Sequence, residues 1–296
     1  MSEAALLPVR PYPPEAVPTP IIVTTKPALE PLVDLAGLER SLAQPSGGLG
    51  SRIVTLTLLM PVLNEEATVL AAIEDVLSTE FPCETRLIVV DDGSTDRTAE
   101  LLEGVADPRL TKLRHDTNRG KGAALLTAAR AASTSHVVPF DADLEYSAAD
   151  VARMVERLQA VEVEVVYGSR AVGGVVRHIS PLYSVGNRVM TRLANIVYGS
   201  NISDLHTCLK LVPLGLMRAL PLTQAGFGLD TELTAWLLLQ HVTMDEVPVS
   251  YTPRTRSQGK KISWRDSLTC LRILAATKLQ ADRVSTTMEG IGYDLA

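Results

Sequence analysis

From Arg52 onward, short apolar runs alternate with amphipathic stretches along the chain. "IVTLTLLMP" is rich in β-branched residues and reads as a buried strand. "NEEATVLAAIEDVLS" follows, with Val69, Leu70, Ile73, Val76 and Leu77 on one helical face and Asn64 placed as its N-cap. The same alternation continues through the strand "RLIVVDDGSTD" and the helix "RTAELLEGV", then the short strand "LTKLRHD" and the helix "GKGAALLTAARAA". "HVVPF" is a fourth strand, Ser147 caps the helix "AADVARMVERLQA", and "VEVVYGS" is a fifth strand. Strands and helices alternate in this way when a parallel sheet is covered on both faces. After about Gly174 the pattern turns helical, in "VGNRVMTRLANIVYG" and "TELTAWLLLQ", with "MDEVPVSYTPR" as one more strand. The expectation is a single α/β domain over residues 51–280 with a mostly parallel, Rossmann-like sheet. Its first half is doubly wound, and its second half completes a pocket.

Residues 1–50 are Pro-rich, then Ser/Gly-rich at "QPSGGLGS", and are expected to form an arm outside the core, with 281–296 as a tail. With 28 Lys and Arg against 34 Asp and Glu, the net charge is −6, which argues against nucleic acid as the main partner. The three cysteines, Cys83, Cys208 and Cys270, lie far apart without a CxxC spacing. That spacing disfavours a disulfide framework or zinc site and suits a reducing, cytoplasmic setting. No run of about 18 uncharged apolar residues is present, so no membrane span is expected. The prolines near the start interrupt any signal-peptide core.

Ligands of open parallel sheets sit beyond the carboxyl ends of the strands, and every polar cluster here falls at such an end. "NEE" follows the first strand, "DDGS" the second, "DAD" the fourth and "GSR" the fifth. Acids gathered on one rim repel each other unless a positive charge joins them, and a divalent cation would do so. Asp141 and Asp143 are spaced to reach one Mg²⁺ or Mn²⁺ that also binds diphosphate oxygens, with Glu145 as a third ligand; the alternative is a solvated turn. Asp92 and Glu65 have two readings each, contact with a ribose or base, or a local turn and helix-terminus role. "NRGKGAA" opens a helix as a phosphate cradle would, yet it is neither GxxxxGK[ST] nor GxGxxG, so a P-loop and a dinucleotide fingerprint are both excluded. "YTPRTRSQGKKISWRD" concentrates cations on a Gly/Pro-containing loop, either solvated or a phosphate-binding lid. Asp230 either caps the next helix or acts as a general base.

Taken in order, "MPVLNEE", "VVDDGSTDRT", "NRGKGAA", "PFDADLEY", "YGSR", "ISDLHTCLKLV", "GFGLDTEL" and "EVPVSYTPRTRSQGKKISWRD" resemble an inverting family 2 glycosyltransferase of the GT-A fold. The similarity is to the dolichyl-phosphate mannosyltransferase-like and polyprenyl-phosphate glycosyltransferase branch, over roughly Thr55 to Leu274. The resemblance implies that Pro61, Leu63, Glu65 and Asp92 hold the nucleoside, with Val90 lining the base pocket and Lys121 nearby. Asp141 and Ala142 would lie against the nucleotide, and Asp143 with Glu145 would hold the metal. Arg170, Arg188, Arg254 and Lys260 (or Lys261) would grip the diphosphate or an acceptor phosphate. The sequence departs from that branch at Leu63, where an aromatic residue is common, at Glu145, commonly Gln, and at His206, frequently Glu.

The implied reaction moves a hexose from GDP-mannose, UDP-glucose or a relative to a polyprenyl or dolichyl phosphate. A phosphate acceptor is already ionised and needs no base, and the enzyme would work in the cytoplasm or peripherally at the inner face of a membrane. A hydroxyl acceptor on a small molecule would need Asp230 as base. A non-catalytic sugar-nucleotide-binding protein is the third reading, against which the intact Asp141, Asp143 and Arg254 argue.

Overall fold

The computed structural model describes residues 53–172, 181–254 and 264–290. The N-terminal arm, and Arg256, Lys260 and Lys261 of the cationic loop, lie outside the described residues. Seven strands form one sheet: β1 (Thr55–Val62), β2 (Glu84–Asp91), β3 (Leu110–Arg114), β4 (His136–Pro139), β5 (Val165–Ser169), β6 (Lys210–Pro213) and β7 (Met244–Pro248). Their spatial order is β3-β2-β1-β4-β6-β5-β7. β6 pairs antiparallel with both β4 and β5, while the other pairings are parallel. The mostly parallel sheet of the sequence reading is therefore present, with β6 as an unforeseen reversed strand. "KLVP" is four residues long and opens on a lysine, so it carries no pattern of its own, and neighbouring strands define it.

The helices are α1 (Val69–Ser78), α2 (Thr98–Glu103), α3 (Lys121–Ala131), α4 (Ala148–Ala160), α5 (Pro181–Tyr198), α6 (Leu214–Ala219), α7 (Leu229–Leu239) and α8 (Trp264–Gly290). Along β1, Leu56, Leu58, Met60 and Val62 face a core shared with α1 and α4, whereas Leu59 faces a second core shared with α3, α5 and α7. Opposite faces of one strand thus serve two cores, as the pleat requires. α8 closes the second core with Cys270, Leu274 and Ala281 and continues past residue 280 to Gly290.

Local signals held in part. Ser147 caps α4, accepting from the Ala149 N–H at 3.3 Å. Asn64 does not cap α1, which begins five residues later at Val69. Instead Asn64 adopts a left-handed φ of 55° and accepts from the Thr95 N–H at 2.8 Å, tying the loop after β1 to the loop after β2. Leu70, expected on the buried face, is 43% exposed, because the buried stripe runs through Val69, Ala72, Ile73 and Val76 and leaves that position at its edge.

The two glycines of "NRGKGAA" permit a close approach of backbone. Gly120 has φ 98°, and an added Cβ would lie 2.5 Å from the Ala225 carbonyl oxygen. A Cβ on Gly122 would lie 2.2 Å from the Gln224 oxygen, and Ala225 accepts from the Ala123 N–H at 2.9 Å. The segment before α7 therefore covers the start of α3 and brings Lys121 beside Asp230. Gly122→Ala should lower unfolding free energy by about 1–3 kcal/mol through this overlap. Gly186→Ala on α5, where nothing lies within 4 Å, should be neutral or stabilising by up to about 1 kcal/mol. Urea denaturation of both variants tests the pair, and equal effects would sink the close-approach account.

Candidate active site

β1 and β4 are neighbours, yet the chain leaves β1 towards β2 and leaves β4 towards the opposite edge. A crevice opens outside the carboxyl ends at such a switch point. Three polar clusters occupy this rim.

The first is built on Arg254, six residues after β7. Its Nη2 donates to Asp143 Oδ2 at 2.8 Å and its Nη1 to both Glu65 oxygens at 3.3 Å. Its backbone N–H donates to Glu145 Oε1 at 2.7 Å, and Tyr251 Oη donates to Glu145 Oε2 at 2.5 Å. Leu144, between the two acids, has a left-handed φ of 59°. That conformation costs a branched side chain of order 1–3 kcal/mol and is retained where it aims flanking groups. Three carboxylates therefore gather around one guanidinium. Burial, then the Asp141 and Glu145 charges, push the Asp143 carboxyl up to about 7 despite Arg254.

The second cluster alternates in sign. Lys121 Nζ lies 2.8 Å from Asp141 Oδ2 and 3.6 Å from Asp230 Oδ2, and Lys210 Nζ lies 3.8 Å from Asp230 Oδ1. Burial works against the Lys121 ammonium, but Asp141, Cys208 and Asp230 outweigh it and hold its pKa well above the usual range. Lys210 is fully buried and donates to the carbonyls of Leu205 (3.2 Å), Thr207 (2.8 Å) and Asp230 (3.0 Å). Asp230 is not a helix cap, since α7 begins at Leu229 with Gly228 at its N-cap position. Glu232 binds the preceding loop, accepting from the Thr223 and Gln224 N–H groups, each at 2.9 Å.

In the third cluster, Arg170 at the end of β5 grips Asp204 through Nε at 2.7 Å and Nη2 at 2.8 Å. Burial opposes the Asp204 charge, but Arg170 outweighs it and holds the carboxyl well below its usual range. The Arg170 guanidinium also stands 5.0 Å over the Tyr251 ring, which links this cluster to the first.

The remaining expected positions divide by burial. Pro61, Leu63 and Glu65 are partly exposed at the end of β1. Val90 and Ala142 are buried, one in each core, beneath the opening. Asp92 is 2% exposed and accepts from His115 Nδ1 at 2.7 Å, the Arg119 N–H at 2.9 Å and the Gly120 N–H at 2.7 Å. Its carboxylate thus anchors the loop that carries Lys121. Arg188 is exposed on α5, and Lys260 lies outside the described residues. Sequence reasoning passed over Tyr251, Asn187, Asp204 and Lys210 as site residues, although a lysine opening the apolar run "KLV" was a usable signal. It also passed over Phe227, 55% exposed, whose ring lies 5.9 Å from Lys121 Nζ.

The donor chemistry suits a hard divalent cation, because Glu65, Asp143 and Glu145, once all ionised, exceed the one guanidinium they meet among the described residues by two charges. Asp141 is engaged by Lys121 and Glu145 by Tyr251 and Arg254. Among the described residues, no three His, Cys, Asp or Glu side chains are grouped as a ligand set.

The fold and this rim define a GT-A architecture. Residues 57–219 match the family described as "Glycosyl transferase family 2", and the chain belongs to that family. It is 27% identical over 203 residues to the low-salt glycan biosynthesis hexosyltransferase Agl6 of Haloferax volcanii, covering 68% of this chain and 48% of Agl6. The chain thus spans about half the length of that relative. It is 22% identical over 227 residues to the UDP-N-acetylglucosamine–dolichyl-phosphate N-acetylglucosaminyltransferase of Methanococcus voltae, covering 69% of this chain and 89% of the relative. Among solved structures, glucosyl-3-phosphoglycerate synthase from Mycobacterium tuberculosis, in complex with Mn²⁺, UDP and glucosyl-3-phosphoglycerate, superimposes with a TM-score of 0.54 at 22% identity. That superposition covers 80% of this chain and 85% of the synthase.

Glu246 on β7 supports the third cluster, accepting from the Ser203 N–H at 2.9 Å beside Asp204. Burial pushes its carboxyl up to about 7, from an ordinary value of 4.5. The native state therefore binds a proton that the unfolded chain releases between these values, so stability falls as pH rises through that window. Glu246→Gln should remove this decline and be more stable than wild type at pH 8, by up to about 3 kcal/mol. Parallel urea-derived stability profiles from pH 4 to 8 would contradict the assignment.

Proposed function

We propose that this protein is a glycosyltransferase that moves a hexose from a nucleotide sugar, of the GDP-mannose or UDP-glucose type, to a polyprenyl phosphate with inversion. The observation that carries the acceptor class is Asp230. Its two carboxylate oxygens face the ammonium groups of Lys121 at 3.6 Å and Lys210 at 3.8 Å, rather than an open position for an acceptor hydroxyl. A phosphate acceptor brings an ionised oxygen and needs no such base. The dolichyl-phosphate transferase among the relatives supports the same class.

In this reading Pro61, Leu63 and Glu65 border the nucleoside, while Asp92 acts through the loop it anchors and Val90 and Ala142 form the floor. Asp141 with Lys121 faces the nucleotide, and Arg170, Arg188, Arg254 and Lys260 serve the phosphates, as point charges and forks that match their oxygens. Mg²⁺ or Mn²⁺ would be held by Asp143, with Asp141 and Glu145 as further oxygen ligands, and would offset charge on the departing diphosphate. Arg254 keeps Glu65 and Asp143 together at the crevice and can carry part of the same compensation. The acceptor oxygen attacks the anomeric carbon from the side opposite the diphosphate and forms the new C–O bond, while the bond from that carbon to the diphosphate oxygen breaks and its electron pair leaves with the nucleoside diphosphate. A polyprenyl phosphate would bring the protein to a membrane surface peripherally, since no helix among the described residues is long and apolar enough to cross one.

The test is transfer from labelled nucleotide sugars to a short polyprenyl phosphate with Mg²⁺ or Mn²⁺. Wild type should give a labelled lipid, and Asp143→Ala should lose about 100-fold or more in rate while remaining folded. Near-normal turnover in that variant would remove the metal assignment. In parallel reactions with small hydroxyl compounds, a labelled conjugate of one of them without labelled lipid would establish a hydroxyl acceptor instead, and nucleotide-sugar binding without turnover would make the protein a non-catalytic binder.

A further inference from the structure

His206 lies on the segment between α5 and β6, among Lys210, Asp204, Arg170 and Asp230, all of which act on its charge. Its Nδ1 is 2.9 Å from Asn187 Oδ1, and Asn187 Nδ2 is 2.8 Å from Asp204 Oδ1. Its Nε2 is buried and has no hydrogen-bond partner among the described residues.

This chain of contacts determines where the ring proton sits. The Asp204 carboxylate only accepts, so the amide group facing it must be the –NH₂ of Asn187. The Asn187 carbonyl oxygen then faces His206, and Nδ1 must carry the hydrogen. Burial, reinforced by Lys210, lowers the ring to about 4, so the imidazole is neutral at neutral pH. A neutral ring protonated at Nδ1 presents a bare lone pair at Nε2. That lone pair repels a phosphate oxygen and accepts from a hydroxyl, and leaving it unfilled in a buried place is costly.

We propose that His206 Nε2 accepts a hydrogen bond from a hydroxyl of the hexose of the bound nucleotide sugar, with Asn187 and Asp204 holding the ring in the tautomer that makes it an acceptor. This rests on the nucleotide-sugar reading above and adds a residue that discriminates the sugar from the nucleotide. A donor whose hexose lacks that hydroxyl would leave the acceptor unpaired, which is the stronger form of discrimination.

Binding of UDP, GDP, UDP-glucose and GDP-mannose, each with Mg²⁺ or Mn²⁺, is measured by calorimetry on wild type, His206→Ala and His206→Gln. Nucleoside diphosphate affinity should stay within about twofold in all three proteins, whereas His206→Ala should weaken the nucleotide sugar roughly tenfold. His206→Gln, which keeps an acceptor oxygen, should recover part of the loss. In ¹⁵N-labelled wild type, the His206 Nε2 resonance should shift with nucleotide sugar and not with diphosphate alone. Equal losses for sugar-bearing and sugar-free ligands, unchanged affinities, or an Nε2 shift produced by diphosphate alone would overturn the assignment. A wild type that binds diphosphates but gains nothing from any hexose would remove the nucleotide-sugar reading itself, and this inference with it.

Discussion

The site depends on an imbalance: Glu65, Asp143 and Glu145 converge on Arg254 as their one cation among the described residues. These acids come from the ends of β1 and β4, and Arg254 follows β7, so one guanidinium joins three separate parts of the chain. Removing that cation would leave partly buried carboxylates facing one another without compensation, which destabilises the set. The surplus negative charge is also the strongest indication of what this rim takes, because it fits a cation and the diphosphate that travels with it.

Around this centre the other two clusters are nearly balanced, and each is held by packing rather than by charge alone. Lys121 reaches Asp141 and Asp230 because Gly120 and Gly122 let the 224–226 backbone press against the start of α3. Asp92 secures the same loop from below through the Arg119 and Gly120 N–H groups. Arg170 is gripped by Asp204 on one side and capped by the Tyr251 ring on the other, and Tyr251 in turn donates to Glu145. A change in one cluster is therefore felt in the next, through contacts that are individually modest.

Much of this was readable from the residues in order. The β1-to-β5 alternation, the Ser147 cap and the placement of acids at strand ends all follow from local pattern and appear in the structure. The failures have physical causes. β6 is too short to carry a period and is defined by its pairing with β4 on one side and β5 on the other. Asn64 had the chemistry of a cap, but its side chain found the Thr95 N–H of a neighbouring loop instead. Asp230 in "GFGLDTEL" could be read as a cap or a base, and only the fold gives it to the crevice while Glu232 binds the preceding loop. His206 could be noticed as unusual, but no sequence reveals that Nδ1 meets Asn187 while Nε2 meets no partner among the described residues.

By itself the sequence determined the architecture and the edge of the sheet on which chemistry would gather, because periodicity and turn residues act over a few neighbouring positions. The tertiary structure decided which carboxylate faces which cation, which histidine nitrogen keeps its lone pair, and which glycines are indispensable. Those outcomes depend on distances between residues as much as 189 positions apart, as between Glu65 and Arg254. Burial then sets their energies, because it strengthens each pairing and penalises each group left without one.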